Sequence, residues 1–388
     1  MRPLPILVAL FAVSQAIALH ALLRRLGPAR RRRGAERPDV AAPTDMALTI
    51  VVATLNEAER IGRCLDGLAR QGAVVREILV VDSRSTDGTR DLVRAAAAGD
   101  PRIRLLTDPP LPSGWIGKAW ALQHGAEAAT SPWILGLDAD TSPEPGLADA
   151  VMHAARRDGW DVVSFAPRFA GQDALERWIQ PALLTGLVYR TGAGGDEADP
   201  ERVLANGQCC LVRRALLLAH GGYAPVRTSF AEDVSLARHL ARRGARVGFL
   251  DGSRLYRVRG YRSAGEMWRE WGRSIDLKDA TTRARLWGDV LLLVLTQALP
   301  IPVLCWALAR VVGAHDAPTV ALAALVAVNV ALVGLRVRLL VALRGCYEVR
   351  GASFWLSPLA DGLAVVRVAL SASRRPARWR TRAYPASA

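Results

Sequence analysis

The chain has 388 residues, 51% hydrophobic and 22% charged, with a formal net charge of +15. That length admits two domains with a full core. Many of the basic residues flank apolar runs, where they suit anionic lipid headgroups, and no helix-turn-helix, zinc-finger or aromatic RNA-binding signature is present, which excludes a nucleic-acid partner.

Residues 5–23 are almost uninterruptedly apolar, long enough to cross a hydrocarbon core of about 30 Å. One Arg precedes the run and no clear small-x-small cleavage site follows, so residues 1–25 read as a membrane anchor rather than a signal peptide. Arg24, Arg25, Arg30, Arg31, Arg32 and Arg33 come next, and the positive-inside rule then places the central region in the cytoplasm, with 26–46 as a basic linker.

Residues 47–275 read as one domain. Strands are predicted at 48–54, 77–82, 103–106, 133–137, 161–166 and 208–212. They alternate with helices at 57–71, 87–98, 118–129 and 234–243, the pattern of an α/β, Rossmann-like, mostly parallel sheet with helices on both faces. The Gly-rich, acidic stretch 191–200 reads as a mobile loop.

Residues 276–388 form a C-terminal membrane region with a basic tail. Spans are predicted at about 289–312, interrupted by Pro300 and Pro302, and at 317–335. Arg336, Arg338 and Arg344 agree with the same orientation. Residues 354–372 contain Pro358, Asp361 and Arg367 and precede Arg374, Arg375, Arg378, Arg380 and Arg382; they suit an interfacial or re-entrant helix, a third C-terminal crossing staying open. Five cysteines at 64, 209, 210, 305 and 346, with no Cys-x-x-Cys and no paired histidine spacing, suit a reducing compartment without zinc.

The chemistry-bearing residues cluster after predicted strands, where open α/β sheets bind ligands. Thr54-Leu55-Asn56-Glu57 opens a helix whose free N–H groups favour an anion; Asn56 serves equally as an N-cap. Asp82-Ser83-Arg84-Ser85-Thr86-Asp87 places an acid where it can accept from a nucleobase or ribose, and Asp87 can cap the next helix. Gly114, Gly117 and Lys118 suit close backbone approach and a phosphate, or a solvated turn with a packed Trp115.

Asp138-Ala139-Asp140 follows an apolar strand. Residues two apart on a strand share a face, so the two carboxylates repel unless a divalent cation or solvent lies between them; a solvated turn is the plain alternative. Glu232 and Asp233 open a helix, where Asp233 is a cap or a general base kept ionised by the helix dipole. Arg269 and Trp271 lie in an aromatic, basic segment suited to a membrane interface.

Taken in order, Thr54 to Glu57, Asp82 to Asp87, Gly117-Lys118, Asp138-Ala139-Asp140 and Glu232-Asp233 resemble the membrane-anchored family 2 glycosyltransferases with a GT-A fold. The resemblance implies a nucleotide-sugar donor, usually UDP-linked, held by Thr54, Glu57, Asp82, Lys118 and Asp138. It implies Mn²⁺ or Mg²⁺ on Asp138 and Asp140, and Asp233 as the base of an inverting transfer. Glu232, Arg269 and Trp271 would lie near the acceptor or the diphosphate.

Pro112-x-Gly-Trp-x-Gly-Lys118, the Trp268-x-x-Trp-Gly-Arg-Ser274 stretch and Trp355-Leu-Ser-Pro-Leu-Ala-Asp361 are similar to bacterial enzymes that glycosylate carotenoids, hopanoids or related isoprenoid lipids. They imply a lipid acceptor at the inner leaflet of the plasma membrane. Two departures stand out: Ser83 where many relatives carry a second acid, and no Gln-x-x-Arg-Trp. A processive polysaccharide synthase and a non-enzymatic membrane scaffold remain as alternatives.

Overall fold

The computed structural model describes residues 3–27, 47–171, 173–192, 194–196, 199–261, 263–313, 319–374, 378–379 and 382–384. The expected linker lies outside the described residues from 28 to 46. In chain order the elements begin α1 (Pro3–Leu26), β1 (Leu48–Thr54), α2 (Ala58–Ala69), β2 (Val75–Asp82), α3 (Thr89–Gly99), β3 (Ile103–Thr107), α4 (Gly117–Ala128), β4 (Trp133–Asp138), β5 (Thr141–Pro143) and α5 (Leu147–Asp158). Then come β6 (Val162–Ala166), β7 (Arg168–Ala170), α6 (Ala174–Thr191), β8 (Gly195–Asp196), β9 (Cys209–Arg213), α7 (Arg214–Ala219), α8 (Glu232–Ala241), β10 (Val247–Asp251) and β11 (Tyr256–Arg259). Helices α9 (Ala264–Ser274), α10 (Arg283–Leu293), α11 (Pro300–Gly313), α12 (Val320–Leu343), α13 (Gly351–Trp355) and α14 (Asp361–Ser373) follow.

Two compact units emerge. An α/β unit comprises Arg31–Ala170, Gly194–Gly260 and Arg375–Ala388, and a helical unit comprises Met1–Arg30, Gly171–Ala193 and Tyr261–Arg374. In this division α6 and α9, which lie within 47–275, group with the helices. Helix α6 buries Ile179, Leu183, Val188 and Tyr189. Its mixed composition and internal Pro181 gave no clean period to read.

In the α/β unit the main sheet runs β3-β2-β1-β4-β9-β6-β10-β8. The β1–β2, β2–β3, β1–β4 and β6–β10 pairs are parallel, while β9 is antiparallel to both β4 and β6. The strand order reverses between β1 and β4, which opens a crevice beyond their C-terminal ends. The register sets Thr54 beside Asp82 and Ala53 beside Asp138, so three motifs meet at one sheet edge. Part of the expected mobile loop at 191–200 is instead ordered as β8, which pairs with Gly248 and Phe249 of β10.

Alternation along β1 divides the core. Leu48, Ile50 and Val52 pack on one face with Ile61, Leu65 and Leu68 of α2, and Val51 packs on the other with Ala121, Leu122 and Ala126 of α4. Helix α4 can lie this close because Gly125 has no side chain; a Cβ there would stand 2.4 Å from Val51 Cγ1. A second sheet, β5-β11-β7, flanks the first.

In the helical unit two helices among the described residues, Leu4–Leu26 and Val320–Cys346, are long and apolar enough to cross a membrane. The span expected at 289–312 is a broken pair, Arg283–Ala298 and Pro300–Val312, bent by 45°. A π-turn at Val294–Ala298 followed by Pro300 accounts for the break, since neither continues the regular hydrogen-bond ladder. Residues 354–372 are divided by a 3₁₀ turn at Ser357–Ala360, leaving α14 with 13 residues, about 20 Å, short of a full crossing.

Polar pairs bind this unit internally. Asn329 donates to Gln15 Oε1 at 2.7 Å and Gln15 donates back to Asn329 Oδ1 at 3.0 Å, joining α1 to α12. Arg25 meets Asp289 at 2.7 Å, and the buried Arg336 meets Asp361 at 2.8 Å while also donating to Ser357.

Candidate active site

The loops after β1 and β2 are locked together. Asp82 is fully buried, and its carboxylate accepts from Thr54 Oγ1 at 3.1 Å, Ser85 Oγ at 2.5 Å, the Ser85 N–H at 3.0 Å and Arg90 at 3.1 Å. Thr54 is equally buried. These two expected donor-binding residues therefore build the floor of the loop, and a base contact through Asp82 would need some of these bonds exchanged. The Glu57 N–H donates to Thr89 Oγ1 at 2.8 Å, and Glu57 pairs with Arg60 at 3.7 Å.

Asn56 does not cap α2. It adopts a left-handed φ of 55°, and its Oδ1 accepts from the Thr86 N–H at 2.9 Å. Asp87 supplies the carboxylate instead, accepting from the Ala58 N–H at 3.0 Å across the two loops and from Thr89 N–H at 3.1 Å. Hydrogen bonds to its ionised form outweigh partial burial and lower its pKa. Ser83, standing where a second acid was expected, donates to the buried Asp108 at 2.6 Å. A second carboxylate is thus present at this edge, contributed by the segment after β3, with its pKa raised by burial.

The loops after β4 and before α8 converge on Lys118. Its Nζ lies 2.9 Å from Asp138 Oδ1 and 2.8 Å from Glu232 Oε1. Burial works against the charge on Lys118, yet Asp138, Glu232 and Asp233 together hold its ammonium well above the usual lysine range. Burial likewise pushes the Glu232 carboxyl up, an effect that Lys118 offsets only in part.

Asp233 is only half-buried, and both its oxygens are oriented by backbone. Oδ2 accepts from the Gly207 N–H at 2.7 Å and Oδ1 from the Val234 N–H at 2.8 Å. Each oxygen keeps a lone pair for an incoming proton. Gly207 fits because a Cβ would come 3.2 Å from Lys118 Nζ and 3.3 Å from Asp233 Oδ2.

Strand β4 ends at Asp138, and Ala139 and Asp140 form a turn, so the pleat rule that put both acids on one face does not reach Asp140. Asp138 is drawn to Lys118. Asp140 lines a cavity of about 180 Å³ with Glu59, Arg60, Arg63, Ser142 and Arg259. Two carboxylates suit a hard cation that takes its other oxygens from diphosphate and water. Among the described residues no group of three or more His, Cys, Asp or Glu could hold a metal unaided.

Arg269 and Trp271 lie on α9 in the helical unit, Arg269 exposed and Trp271 buried. Sequence reasoning missed Gly207 and Tyr384. The Gly117 N–H, at the start of α4, donates to the Tyr384 hydroxyl at 2.8 Å, and Tyr384 packs edge-on to Phe230 at 5.6 Å. No local pattern announces either residue, because each matters only through a partner distant in the chain.

Residues 49–221 match the model of glycosyl transferase family 2. The succinoglycan biosynthesis protein ExoA of Rhizobium meliloti is 28% identical over 215 residues, covering 54% of this chain and 62% of that protein. ExoU of the same organism is 29% identical over 214 residues, 53% of this chain and 59% of that protein. The chain thus spans less than two thirds of these relatives. Among solved structures, the mannosyltransferase PcManGT from Pyrobaculum calidifontis, in complex with GDP-Man and Mn²⁺, is 20% identical with a TM-score of 0.50, covering 97% of this chain and all of that one. The sheet order and the likeness to PcManGT show an α/β GT-A fold, and residues 49–221 of that fold are similar to glycosyl transferase family 2.

Proposed function

We propose that the protein transfers a sugar, with inversion, from a nucleotide-sugar donor, usually UDP-linked in such enzymes, to an apolar, isoprenoid-type lipid acceptor at the inner face of the plasma membrane. The observation that carries this reading is the cluster at the sheet edge: Lys118 between Asp138 and Glu232, with the Asp233 carboxylate oriented by the Gly207 N–H. The two apolar helices support a membrane location for the acceptor, because anchoring raises its local concentration.

Asp233 takes the proton from the acceptor hydroxyl as its oxygen attacks the anomeric carbon. The bond from that carbon to the diphosphate breaks, and the nucleoside diphosphate leaves with the bonding pair. Asp138 and Asp140 would hold Mn²⁺ or Mg²⁺, whose chemistry when bound is to neutralise charge on the leaving diphosphate. Lys118 keeps Asp138 and Glu232 in place through its two ion pairs and brings positive charge to the same edge.

The test is nucleoside diphosphate release by detergent-purified protein from a panel of UDP- and GDP-sugars, with and without Mn²⁺ and isoprenoid lipid. Metal-dependent release stimulated by lipid is expected. Asp233→Asn should keep nucleotide affinity while turnover falls by roughly 10² or more. Equal turnover in variant and wild type would remove the base assignment, and long saccharide products would favour the processive alternative. Unchanged products in cells carrying Asp233→Asn would favour the scaffold.

A further inference from the structure

The cavity beside Asp140 presents more cation than the donor site needs. Arg60 and Arg63 project from successive turns of α2, and Arg259 comes from β11 in the small sheet. Against these three guanidinium groups stand Glu59 and Asp140, and Asp140 is also the residue expected to hold a divalent cation. Arg259 donates to the Glu59 carbonyl at 3.3 Å, which ties β11 to the start of α2 across the opening. Arg63 is exposed and makes no ion pair among the described residues.

The volume, about 180 Å³, is below the roughly 300–1,000 Å³ of a pocket for a whole drug-sized ligand. It suits one charged group. Planar guanidinium forks are matched to phosphate and carboxylate oxygens, which they bind in bidentate fashion. Arg60 is already paired with Glu57 of the loop after β1, but Arg63 and Arg259 stand away from the loops after β1 and β2 and share none of the partners of Lys118. The expected donor- and metal-binding residues account for Arg60 and Asp140 and leave Arg63 and Arg259 unassigned.

We propose that Arg63 and Arg259 form an anion subsite for the acceptor, so that the molecule receiving the sugar carries a phosphate or carboxylate group besides its attacking hydroxyl. This rests on the glycosyl-transfer reading and narrows its acceptor class to acidic lipids. The anion would sit next to Asp140, close to the transferring centre, and so fix the orientation of an otherwise apolar, featureless chain.

The experiment uses the full chain in detergent, wild type against Arg63→Gln, Arg259→Gln and the charge-keeping Arg63→Lys. A lipid extract is separated by anion exchange into acidic and neutral pools, and acceptor KM is measured for each. The acidic pool is expected to stimulate release, and each Gln variant to raise its KM about tenfold, the usual cost of one charge-assisted hydrogen bond, with kcat largely kept. Arg63→Lys should recover part of the loss. Equal stimulation by the neutral pool, or unchanged acceptor KM, would overturn the proposal. A fall in UDP affinity in place of acceptor affinity would overturn it too, by returning the arginines to the donor.

A separate arm measures thermal stabilisation by inorganic phosphate and by micelles of phosphatidylglycerol against phosphatidylcholine. Phosphate should stabilise wild type and not the Arg63→Gln, Arg259→Gln double variant. Stabilisation by phosphatidylglycerol without any effect of the acidic pool would assign the cavity to a membrane headgroup and overturn the acceptor role. If no donor turns over at all, glycosyl transfer fails, while phosphate stabilisation lost in the double variant would still establish the anion site.

Discussion

Replacing Lys118 by Met removes the cation that, among the described residues, pairs with both Asp138 and Glu232 at the sheet edge, while keeping most of the side-chain volume. Glu232 is nearly fully buried, and its partner lies 2.8 Å away. Breaking a buried ion pair from one side costs about 3 kcal/mol or more, because the remaining charge stays desolvated. Thermal unfolding should then occur about 6–12 °C lower, taking 2–4 °C per kcal/mol for a unit of this size.

The loss should depend on pH in a definite direction. Burial already raises the Glu232 carboxyl above its unfolded value, and Lys118 opposes that rise. Without Lys118 the rise is larger, so the ionised form is penalised more and the protonated form is not. The deficit should be greatest at alkaline pH and shrink as pH falls and Glu232 takes up its proton. Differential scanning fluorimetry of the detergent-solubilised protein as a function of pH measures it. Adding Glu232→Gln to Lys118→Met should restore much of the stability, since the stranded charge is gone. A deficit that is absent, or equal at both ends of the pH range, would refute the account of Lys118 as the counter-charge for a buried carboxylate.

Gly207→Ala would place a methyl 3.2 Å from Lys118 Nζ and 3.3 Å from Asp233 Oδ2, so turnover should fall about tenfold or more through misplacement of Asp233, with near-normal stability in the same melt. Asp140→Ala should abolish metal-dependent nucleotide binding; unchanged calorimetric affinity for UDP with Mn²⁺ would count against its role. Gly125→Ala drives a Cβ to 2.4 Å from Val51 Cγ1 and should cost about 1–3 kcal/mol by forcing α4 off the sheet, read as a lowered melting temperature.

Much of this arrangement is legible in the sequence because its signals are local. The first strand is observed at Leu48–Thr54 as expected, and β2, β4 and β9 fall within two residues of their expected ends. Short apolar runs ended by Asp, Ser, Gly or Pro fix both a strand and the place where it stops. The five motifs therefore sit after strands or at helix starts, as their composition requires. The two helices long and apolar enough to cross a membrane are equally legible, since a long apolar run needs no tertiary context to be recognised.

Tertiary structure alone decided which of these residues meet. Lys118 and Glu232 lie far apart in the chain, and only the packing of α4 on β1 and the entry of α8 beside β9 bring them within 2.8 Å. Asp138 and Asp140, two residues apart in sequence, fall on either side of the point where β4 ends, so Asp138 reaches Lys118 while Asp140 lines the arginine cavity. Helix α6, embedded in the sequence of the α/β unit, joins the helical unit because its buried face finds apolar partners there and nowhere in its own neighbourhood. Local pattern specifies elements and their ends; burial and ion pairing between distant segments choose the partners, and those choices are not periodic along a chain.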